Sequence, residues 1–235
     1  MPLTRGLLPL VAAAGALVGA GATVAYDRLR PGGAVGPQVR AYLLAHPEVI
    51  PEAMQRLGDR ESGKLVAQHR DAIVRPYAGA WAGNPNGDVT LVEYFDYNCG
   101  YCRASLPVLQ ALLQRDPKLR LVYRELPILA DTSRAAARVS LAAAATSPQA
   151  YRRFHAALYG AGPVSDATIA AAARAAGVDP ARVPADADAE VKRNLETAST
   201  LNLSGTPSWI VGDRVLAGAQ SLDALEEAVR AARGG

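Results

Sequence analysis

The sequence predicts an α/β domain that carries a helical insertion and is preceded by a short helical region. Three observations support this prediction: two strand patterns flank a helical pattern, an alanine-rich block follows them, and a hairpin pattern and a last helix end the chain. The strand–helix–strand order predicts parallel pairing of the two strands through a right-handed crossover. With 235 residues, half of them hydrophobic, the chain is long enough for one medium domain and a smaller appendage.

The amino terminus has the pattern of an export signal. No charged residue lies between Gly6 and Tyr26, and Arg5 precedes this run. A basic start, an apolar stretch and small residues around Ala20 are typical of a signal peptide. The run also approaches the roughly 20 residues that span a bilayer. We therefore predict that residues 1–25 are either cleaved or retained as an inner-membrane anchor, which places the rest of the protein in the periplasm, where disulfides persist.

Residues 26–79 are predicted to form a helical region together with a linker rich in proline and glycine, at 31–37. Val39, Tyr42 and Leu43 have the spacing of one helix face, and the helical pattern continues, with a break at a proline, to about residue 75. Two interpretations remain open. Residues 38–75 pack on the main domain, or their apolar stripe associates with a second copy of the chain and forms a homo-oligomer.

The main domain is predicted over residues 80–235 and begins with the strand–helix–strand unit. Residues 88–97 and 119–123 are rich in β-branched and aromatic side chains, as in buried central strands. The helix between them is predicted over 104–114. We expect Pro107 to kink it early, because proline lacks a backbone N–H and clashes with the preceding turn.

The insertion is predicted at about 131–203 as a block of several helices. Alanine, the best helix former, accounts for 23 of the 68 residues from 134 to 201, and prolines and glycines divide the block. The strand pattern then returns in Ser208–Val211 and Arg214–Ala217, which flank a Gly-Asp pair typical of a two-residue hairpin. Ser221 is the predicted N-cap of the last helix.

The candidate reaction centre is formed by Cys99 and Cys102, the only cysteines of the chain. They lie in the turn between the first strand and the following helix. At a helix N-terminus, unpaired amide groups and the helix dipole favour a thiolate, which is the nucleophile of disulfide exchange. We predict that Cys99 forms the mixed disulfide and that Cys102, one helical turn further on, resolves it.

Other functions of the cysteine pair fit the sequence less well. A zinc site needs further ligands, and the three histidines, His46, His69 and His155, are widely scattered. A structural disulfide this short would constrain little chain entropy. The sequence therefore predicts no metal and no cofactor, and His155 is expected to decorate the helical block without a role. The net charge of +3, with acids and bases interspersed, excludes a strongly basic nucleic-acid binder.

Two further sites support redox chemistry. Glu93 shares a strand face with Leu91 and Phe95, six residues before Cys99. It is either a buried carboxylate that relays a proton to Cys102 or an exposed residue at a sheet edge. The Thr206-Pro207 bond precedes a strand, where proline is commonly found. From the sequence pattern alone, the bond is either an ordinary trans bond or a cis bond that leaves backbone groups free for a peptide.

These residues together resemble the DsbA family of thioredoxin-fold disulfide oxidoreductases. The resemblance rests on the Gly-Asn-Pro turn at 83–85, on FDYNCGYC around the cysteines and on GTPSWIVG, and it covers about residues 80–232. It implies a thioredoxin-like fold with a helical insertion. It also implies that Pro207 is the cis-proline beside the dithiol, that Thr206 contacts substrate, and that Glu93 is the buried acid below the site.

The helical region resembles that of exported, ScsC-like members, through the segment AYLLAHPEVI at 41–50. This resemblance implies oligomerisation and a link to copper tolerance. Two features depart from the founding DsbA pattern. The dipeptide between the cysteines is Gly100-Tyr101 rather than Pro-His, and no lysine in the second strand can pair with Glu93, so Arg120 or Arg124 is expected to substitute.

The function that the resemblance implies is exchange of disulfides with cysteine-containing exported proteins, supported by a membrane or periplasmic thiol redox partner. The direction stays open between oxidase, isomerase and reductase, and an oligomer favours isomerase action because it brings several dithiols together. The alternatives are a copper(I)-handling protein, since thiolates suit this soft ion, and a protein dedicated to one client.

Overall fold

The computed structural model describes Tyr26 and residues 35–234 of the chain. The predicted export segment, 1–25, lies outside the described residues. Within the described part, no helix combines the length and the apolar character needed to cross a membrane. The contacts divide the chain into two compact units, one up to Leu57 and one from Gly58 onward.

The first unit contains helix α1 (Val35–Ala45) and the beginning of helix α2 (Val49–Val74). The predicted helical pattern and its break are confirmed. Pro51 is the third residue of α2, and proline is tolerated in a first turn because the N–H groups there have no intrahelical partner. Several apolar side chains of this unit are half or more exposed to solvent: Val35, Val39, Tyr42, Leu44, Ile50, Met54 and Leu57.

The second unit is built on a five-stranded mixed sheet. Its strands are β1 (Trp81–Gly83), β2 (Val89–Phe95), β3 (Leu119–Glu125), β4 (Ser208–Val211) and β5 (Arg214–Ala217), in the order β1-β3-β2-β4-β5. The predicted parallel pairing of β2 with β3 is confirmed, and the other three pairs are antiparallel. Strand β1 was not expected, because three residues are too short to show a strand pattern.

Six more helices complete this unit. They are α3 (Gly100–Arg115), α4 (Asp131–Thr146), α5 (Pro148–Gly160), α6 (Asp166–Ala176), α7 (Ala187–Thr200) and α8 (Leu222–Gly234). The helical insertion is confirmed, and its breaks have local causes: Ser147 caps α5, and Gly177 ends α6 in the left-handed region at φ 72°. Ser221 caps α8 through the N–H of Ala224, as predicted.

The two faces of the sheet bury separate cores, since successive strand residues point to opposite sides. Leu91, Phe95 and Trp209 face a core that α3, α8 and much of the insertion cover. The opposite face packs against α7 and against the part of α2 that belongs to this unit. The side chains of that part that join the second core include Val66 and Ile73. For residues 58–74, the structure thus supports packing on the main domain.

Candidate active site

Cys99 lies where the loop after β2 enters α3, and it is the N-cap of this helix. Its Sγ accepts the backbone N–H of Cys102 at 3.3 Å, as the side-chain oxygen of an N-cap serine does. This cap explains why α3 begins at Gly100, four residues before the predicted start. The thiol also donates a hydrogen bond to the carbonyl oxygen of Thr206 at 3.2 Å. The sulfur is thus held by the first turn of the helix and by the segment before β4.

Both cysteines are free thiols in differing surroundings. Cys99 is 5% exposed and Cys102 is 1% exposed, so Cys99 lies nearer to solvent. Burial, and then the negative charge of Glu93, raise the pKa of the Cys102 thiol well above its ordinary value. Cys102 therefore holds its proton strongly. That Cys99 meets the substrate first stays a prediction, and the larger exposed fraction of Cys99 is consistent with it.

The Thr206-Pro207 segment lies directly against the dithiol. Its peptide bond is cis, which decides between the two forms left open by the sequence pattern. Thr206 presents its carbonyl to Cys99, and the carbonyl of Pro207 accepts the N–H of Gly218 at 2.8 Å. The fold brings this segment and the cysteines together although more than 100 residues separate them in the chain.

Glu93 is buried in the central strand β2, between Tyr123 on β3 and Trp209 on β4. The alternative of an exposed residue at a sheet edge is therefore wrong. Burial raises the pKa of Glu93 to about 8, with the charge of Cys99 as the second cause. One carboxyl oxygen, Oε2, has no hydrogen-bond partner among the described residues. A carboxyl with such a pKa can hold and release a proton near neutral pH.

The expectation that Arg120 or Arg124 pairs with Glu93 is wrong. In the parallel register Glu93 lies beside Tyr123, so Arg120 and Arg124 point to the opposite face of the sheet. Arg120 binds the hydroxyl of Thr90.

Arg124 instead holds three elements of the second unit together. It forms a buried ion pair with Glu190 of α7 at 2.6 Å and donates to the carbonyl of Ile73 near the end of α2. Its guanidinium also contacts the carbonyls of Ala72 and Arg75. Arg124 is thus a structural residue on the face of the sheet away from the dithiol.

His155 does not decorate the surface of the insertion, as was expected, but is buried among aromatic rings. The ring centroids of Tyr123 and Tyr159 lie 4.8 and 4.9 Å from that of the histidine. Burial lowers the pKa of His155 to about 3. The sequence held a signal for this position, since Tyr151, His155 and Tyr159 follow each other at four-residue spacing and lie on one helix face.

A buried hydrogen-bonded chain runs from His155 to a second carboxyl that sequence reasoning missed. His155 Nδ1 lies 3.2 Å from the hydroxyl of Tyr97, which lies 2.8 Å from that of Ser140. Ser140 and Tyr151 both donate to Glu125, at 2.8 and 3.0 Å. Burial raises the pKa of Glu125 to about 7. No local pattern marked Glu125, because its burial depends on helices that are distant in the chain.

The arrangement can support thiol–disulfide exchange: it combines a helix-capping thiol with a small exposed fraction, a second thiol that is more deeply buried, and a carboxyl whose pKa burial raises to about 8. Among the residues that the structure describes, no group of three or more His, Cys, Asp or Glu side chains could hold a metal ion.

Comparison with known proteins agrees with this geometry. Residues 90–230 match the family model of the DSBA-like thioredoxin domain, and residues 34–62 match that of the copper resistance protein ScsC N-terminal domain. A curated relative, the Na(+)/H(+) antiporter NhaA 1 of Salinispora arenicola, is 30% identical over 159 residues. That match takes in 65% of this chain, which spans about a quarter (24%) of the length of the relative.

Three solved structures are similar to the chain over most of their own length. A linker-deletion mutant of Proteus mirabilis ScsC has a TM-score of 0.71 at 27% identity and covers 85% of this chain and 93% of its own. A thioredoxin-like oxidoreductase from Silicibacter pomeroyi has a TM-score of 0.66 at 39% identity, and the match covers 71% of this chain and 98% of the oxidoreductase. A periplasmic thioredoxin-like protein from Salmonella enterica serovar Typhimurium has a TM-score of 0.66 at 29% identity, and the match covers 71% of this chain and 96% of the Salmonella protein.

The fold and the comparisons lead to one assignment. The sheet and its helical insertion form a thioredoxin-like fold, and the family model extends over more than half of the chain. The chain belongs to the DsbA-like thioredoxin family.

Proposed function

We propose that this protein is an exported thiol–disulfide oxidoreductase that exchanges disulfides with protein substrates through Cys99-Gly100-Tyr101-Cys102. The observation that carries this proposal is the position of the Cys99 sulfur. It caps α3 through the N–H of Cys102 and touches the carbonyl of Thr206. A thiol at a helix N-terminus beside a second, buried thiol is suited to form and then release a mixed disulfide.

In the oxidising direction, a substrate thiolate attacks Sγ of Cys99 in the Cys99–Cys102 disulfide. A bond forms between the substrate sulfur and Cys99, and Cys102 leaves as a thiolate that takes up a proton. A second substrate thiolate then attacks the substrate sulfur of the mixed disulfide and releases Cys99. The substrate loses two electrons and the protein becomes a dithiol. The thiol redox partner has to reoxidise it, and the reducing direction runs through the same steps in reverse.

Glu93 is proposed as the proton carrier for Cys102. Its carboxyl is buried and electrostatically coupled to the Cys102 thiol, and its pKa of about 8 keeps it protonated near neutral pH. It can therefore give a proton to Cys102 when that sulfur leaves, and it can accept one when Cys102 attacks the mixed disulfide.

The exchange activity is tested with purified protein and a ribonuclease that contains scrambled disulfides. We expect the wild-type protein to restore ribonuclease activity in a glutathione buffer, or to oxidise reduced ribonuclease, and the Cys99→Ser variant to do neither. A wild-type protein that is inert towards both substrates overturns the proposal.

The direction follows from the reduction potential of the cysteine pair. A strongly oxidising potential without rescue of scrambled ribonuclease identifies an oxidase. Rescue of scrambled ribonuclease by this protein with its cysteine pair kept reduced identifies an isomerase. The dipeptide Gly100-Tyr101 carries no charge, so the potential is set mainly by the helix, the buried carboxyl and the Thr206 carbonyl.

We further propose that the homo-oligomer predicted through residues 38–75 forms through the apolar side chains of residues 38–57, because Val66 and Ile73 are buried in the second unit. Among the exposed ones are Tyr42, Leu44 and Met54. Sedimentation should give a multiple of the chain mass for the wild-type protein, and a single chain mass for the Tyr42→Ser/Leu44→Ser variant. A wild-type monomer contradicts this part of the proposal.

The proposed location is the periplasm, because the run from Gly6 to Tyr26 has the pattern of an export signal. The intact mass of the exported protein shows whether residues 1–25 are cleaved or retained as an anchor. A protein that is recovered only from the cytoplasm contradicts the location.

A second candidate function is the handling of copper(I). The match of residues 34–62 to the N-terminal domain of a copper resistance protein favours it, and the two thiols are soft ligands that suit this ion. Cys99→Ser distinguishes the two functions. If Cys99→Ser loses disulfide exchange but still binds copper(I), the metal site is separate from the redox site. If the variant loses both activities, copper(I) binds at the cysteine pair.

A further inference from the structure

A buried carboxylate that the exchange steps do not use lies at the end of β2. Asp96 accepts three backbone hydrogen bonds: from Asn98 at 2.8 Å, from Ile128 at 2.9 Å and from Leu129 at 3.0 Å. Asn98 belongs to the turn that leads to Cys99, whereas Ile128 and Leu129 lie between β3 and α4. One carboxylate thus binds the dithiol turn to a second segment that lies more than 30 residues away in the chain.

Further contacts strengthen this link. The carbonyl of Asp96 accepts the N–H of Cys99 at 3.0 Å, so Asp96 also fixes the backbone of the nucleophile. Asn98 donates from Nδ2 to Thr132 Oγ1 at 3.0 Å and to Ser133 Oγ at 2.8 Å, at the beginning of α4. Asp96 and Asn98 together hold the turn and the start of the insertion in one arrangement.

The segment held by Asp96 carries apolar side chains that point to solvent. Ile128 is 47% exposed and Leu129 is 54% exposed, although both backbone N–H groups are bound. We call these two residues the apolar lip. Tyr101, between the two cysteines, is 70% exposed. Exposed aromatic and apolar side chains are thus present between the cysteines and on the segment that Asp96 links to the Cys99 turn.

We propose that Asp96 is a positioning residue that keeps the apolar lip in a fixed place relative to Cys99. The lip then binds apolar side chains beside a cysteine in an extended polypeptide, and the cysteine sulfur is brought to Cys99. This role rests on the proposed disulfide exchange. Hydrogen bonds to a charged acceptor are stronger than neutral ones, so a carboxylate with three N–H donors is suited to fix a segment that lies outside helices and strands.

The test compares two disulfide substrates in the same protein. One is oxidised glutathione, and the other is a ten-residue peptide whose cysteine, flanked by leucines, forms a mixed disulfide with glutathione. We expect Asp96→Asn to lower the ratio of kcat/KM for the peptide to that for glutathione by about tenfold, through KM, as charge-assisted hydrogen bonds are lost. The matched control is Asp179→Asn, because Asp179 likewise accepts the N–H two residues later, in an exposed turn, and should leave the ratio unchanged.

A double-mutant cycle shows whether Asp96 acts through the lip. Ile128→Ser/Leu129→Ser should also lower the ratio about tenfold, and in this background Asp96→Asn should add less than twofold. A ratio that Asp96→Asn leaves unchanged overturns the proposal, whatever happens to the absolute rates. If Asp96→Asn still lowers the ratio tenfold in the Ile128→Ser/Leu129→Ser protein, Asp96 does not act through the lip, and the proposal is overturned as well.

The remaining outcomes are also decisive. If Asp96→Asn does not fold, Asn98→Ala keeps the carboxylate but removes the bonds to Thr132 and Ser133, and it should lower the same ratio; an unchanged ratio then overturns the proposal. A wild-type protein that fails to react with glutathione refutes the disulfide exchange itself, which is a separate result.

Discussion

Replacing Glu93 by glutamine should change how the stability of the protein depends on pH. Burial raises the pKa of this carboxyl from an ordinary value of 4.5 to about 8 in the folded state. The folded protein therefore binds the proton more tightly than the unfolded chain does. The stability that this proton contributes is fully present below about pH 4.5, and it is lost as the pH rises through 8. Glutamine cannot ionise, so Glu93→Gln removes this loss.

The expected magnitude follows from the two pKa values. Their difference corresponds to about 5 kcal/mol in total, of which about 4 kcal/mol falls between pH 5 and pH 9. Urea denaturation at several pH values over this range gives the free energy of unfolding. Both proteins should carry Cys99→Ser and Cys102→Ser, so that thiol ionisation does not contribute; burial, the larger cause of the raised pKa of Glu93, is kept in this background. Titration of Glu125 and His155 occurs in both and cancels in the difference.

The comparison has a matched control. Glu61 is exposed and forms an ion pair with Lys64 at 2.8 Å, so Glu61→Gln should change the free energy of unfolding by less than about 1 kcal/mol at every pH. Glu93→Gln should instead stabilise the protein by several kcal/mol more at pH 9 than at pH 5. Parallel pH profiles for Glu93→Gln and its parent refute the reasoning that burial controls this carboxyl.

Three further predictions concern the cysteines, the buried ion pair and the buried histidine. Cys102→Ser should accumulate the mixed disulfide of Cys99 with substrate, seen as an added mass by mass spectrometry; absence of the adduct contradicts the resolving role. Arg124→Met should lower the free energy of unfolding by about 3 kcal/mol, because the buried Glu190 keeps only Arg193 as an ion-pair partner and the carbonyl of Ile73 loses its donor. Replacing Glu190 by Met as well should restore part of the lost free energy of unfolding. A denaturation midpoint that Arg124→Met leaves unchanged contradicts a stabilising role of the buried ion pair. Burial lowers the pKa of His155 to about 3, so the stability contributed by the neutral ring is lost as the pH falls below about 6.5. Between pH 7 and pH 4, the free energy of unfolding, measured by denaturation, should therefore fall by about 3 kcal/mol less in His155→Phe than in the wild-type protein.

The sequence was sufficient for the elements that have strong local patterns. The apolar runs of β2 and β3 indicated central strands, and the three-residue spacing of Cys99 and Cys102 after a strand placed them at a helix start. The helical block could be predicted because alanine and the breaking residues act locally. For Glu93, the apolar neighbours in its strand favoured burial, but the alternative of an exposed sheet edge was excluded only by the structure.

The parts that were missed depend on long-range packing. Strand β1 has only three residues and exists because it pairs with β3. The position of Arg124 on the face opposite Glu93 depends on the register between two strands, which no local pattern fixes. The burial of His155 and the link formed by Asp96 both require segments that meet only in the folded chain.

Whether Cys99 and Cys102 form one reversible redox centre can be measured by equilibrating the purified protein in glutathione buffers of graded ratio. Alkylation of free thiols followed by mass spectrometry then counts the thiols at each ratio. Both cysteines should change together, as a single two-electron couple with one midpoint. Two thiols that stay reduced across the whole range, or a single cysteine that reacts alone, contradict this prediction.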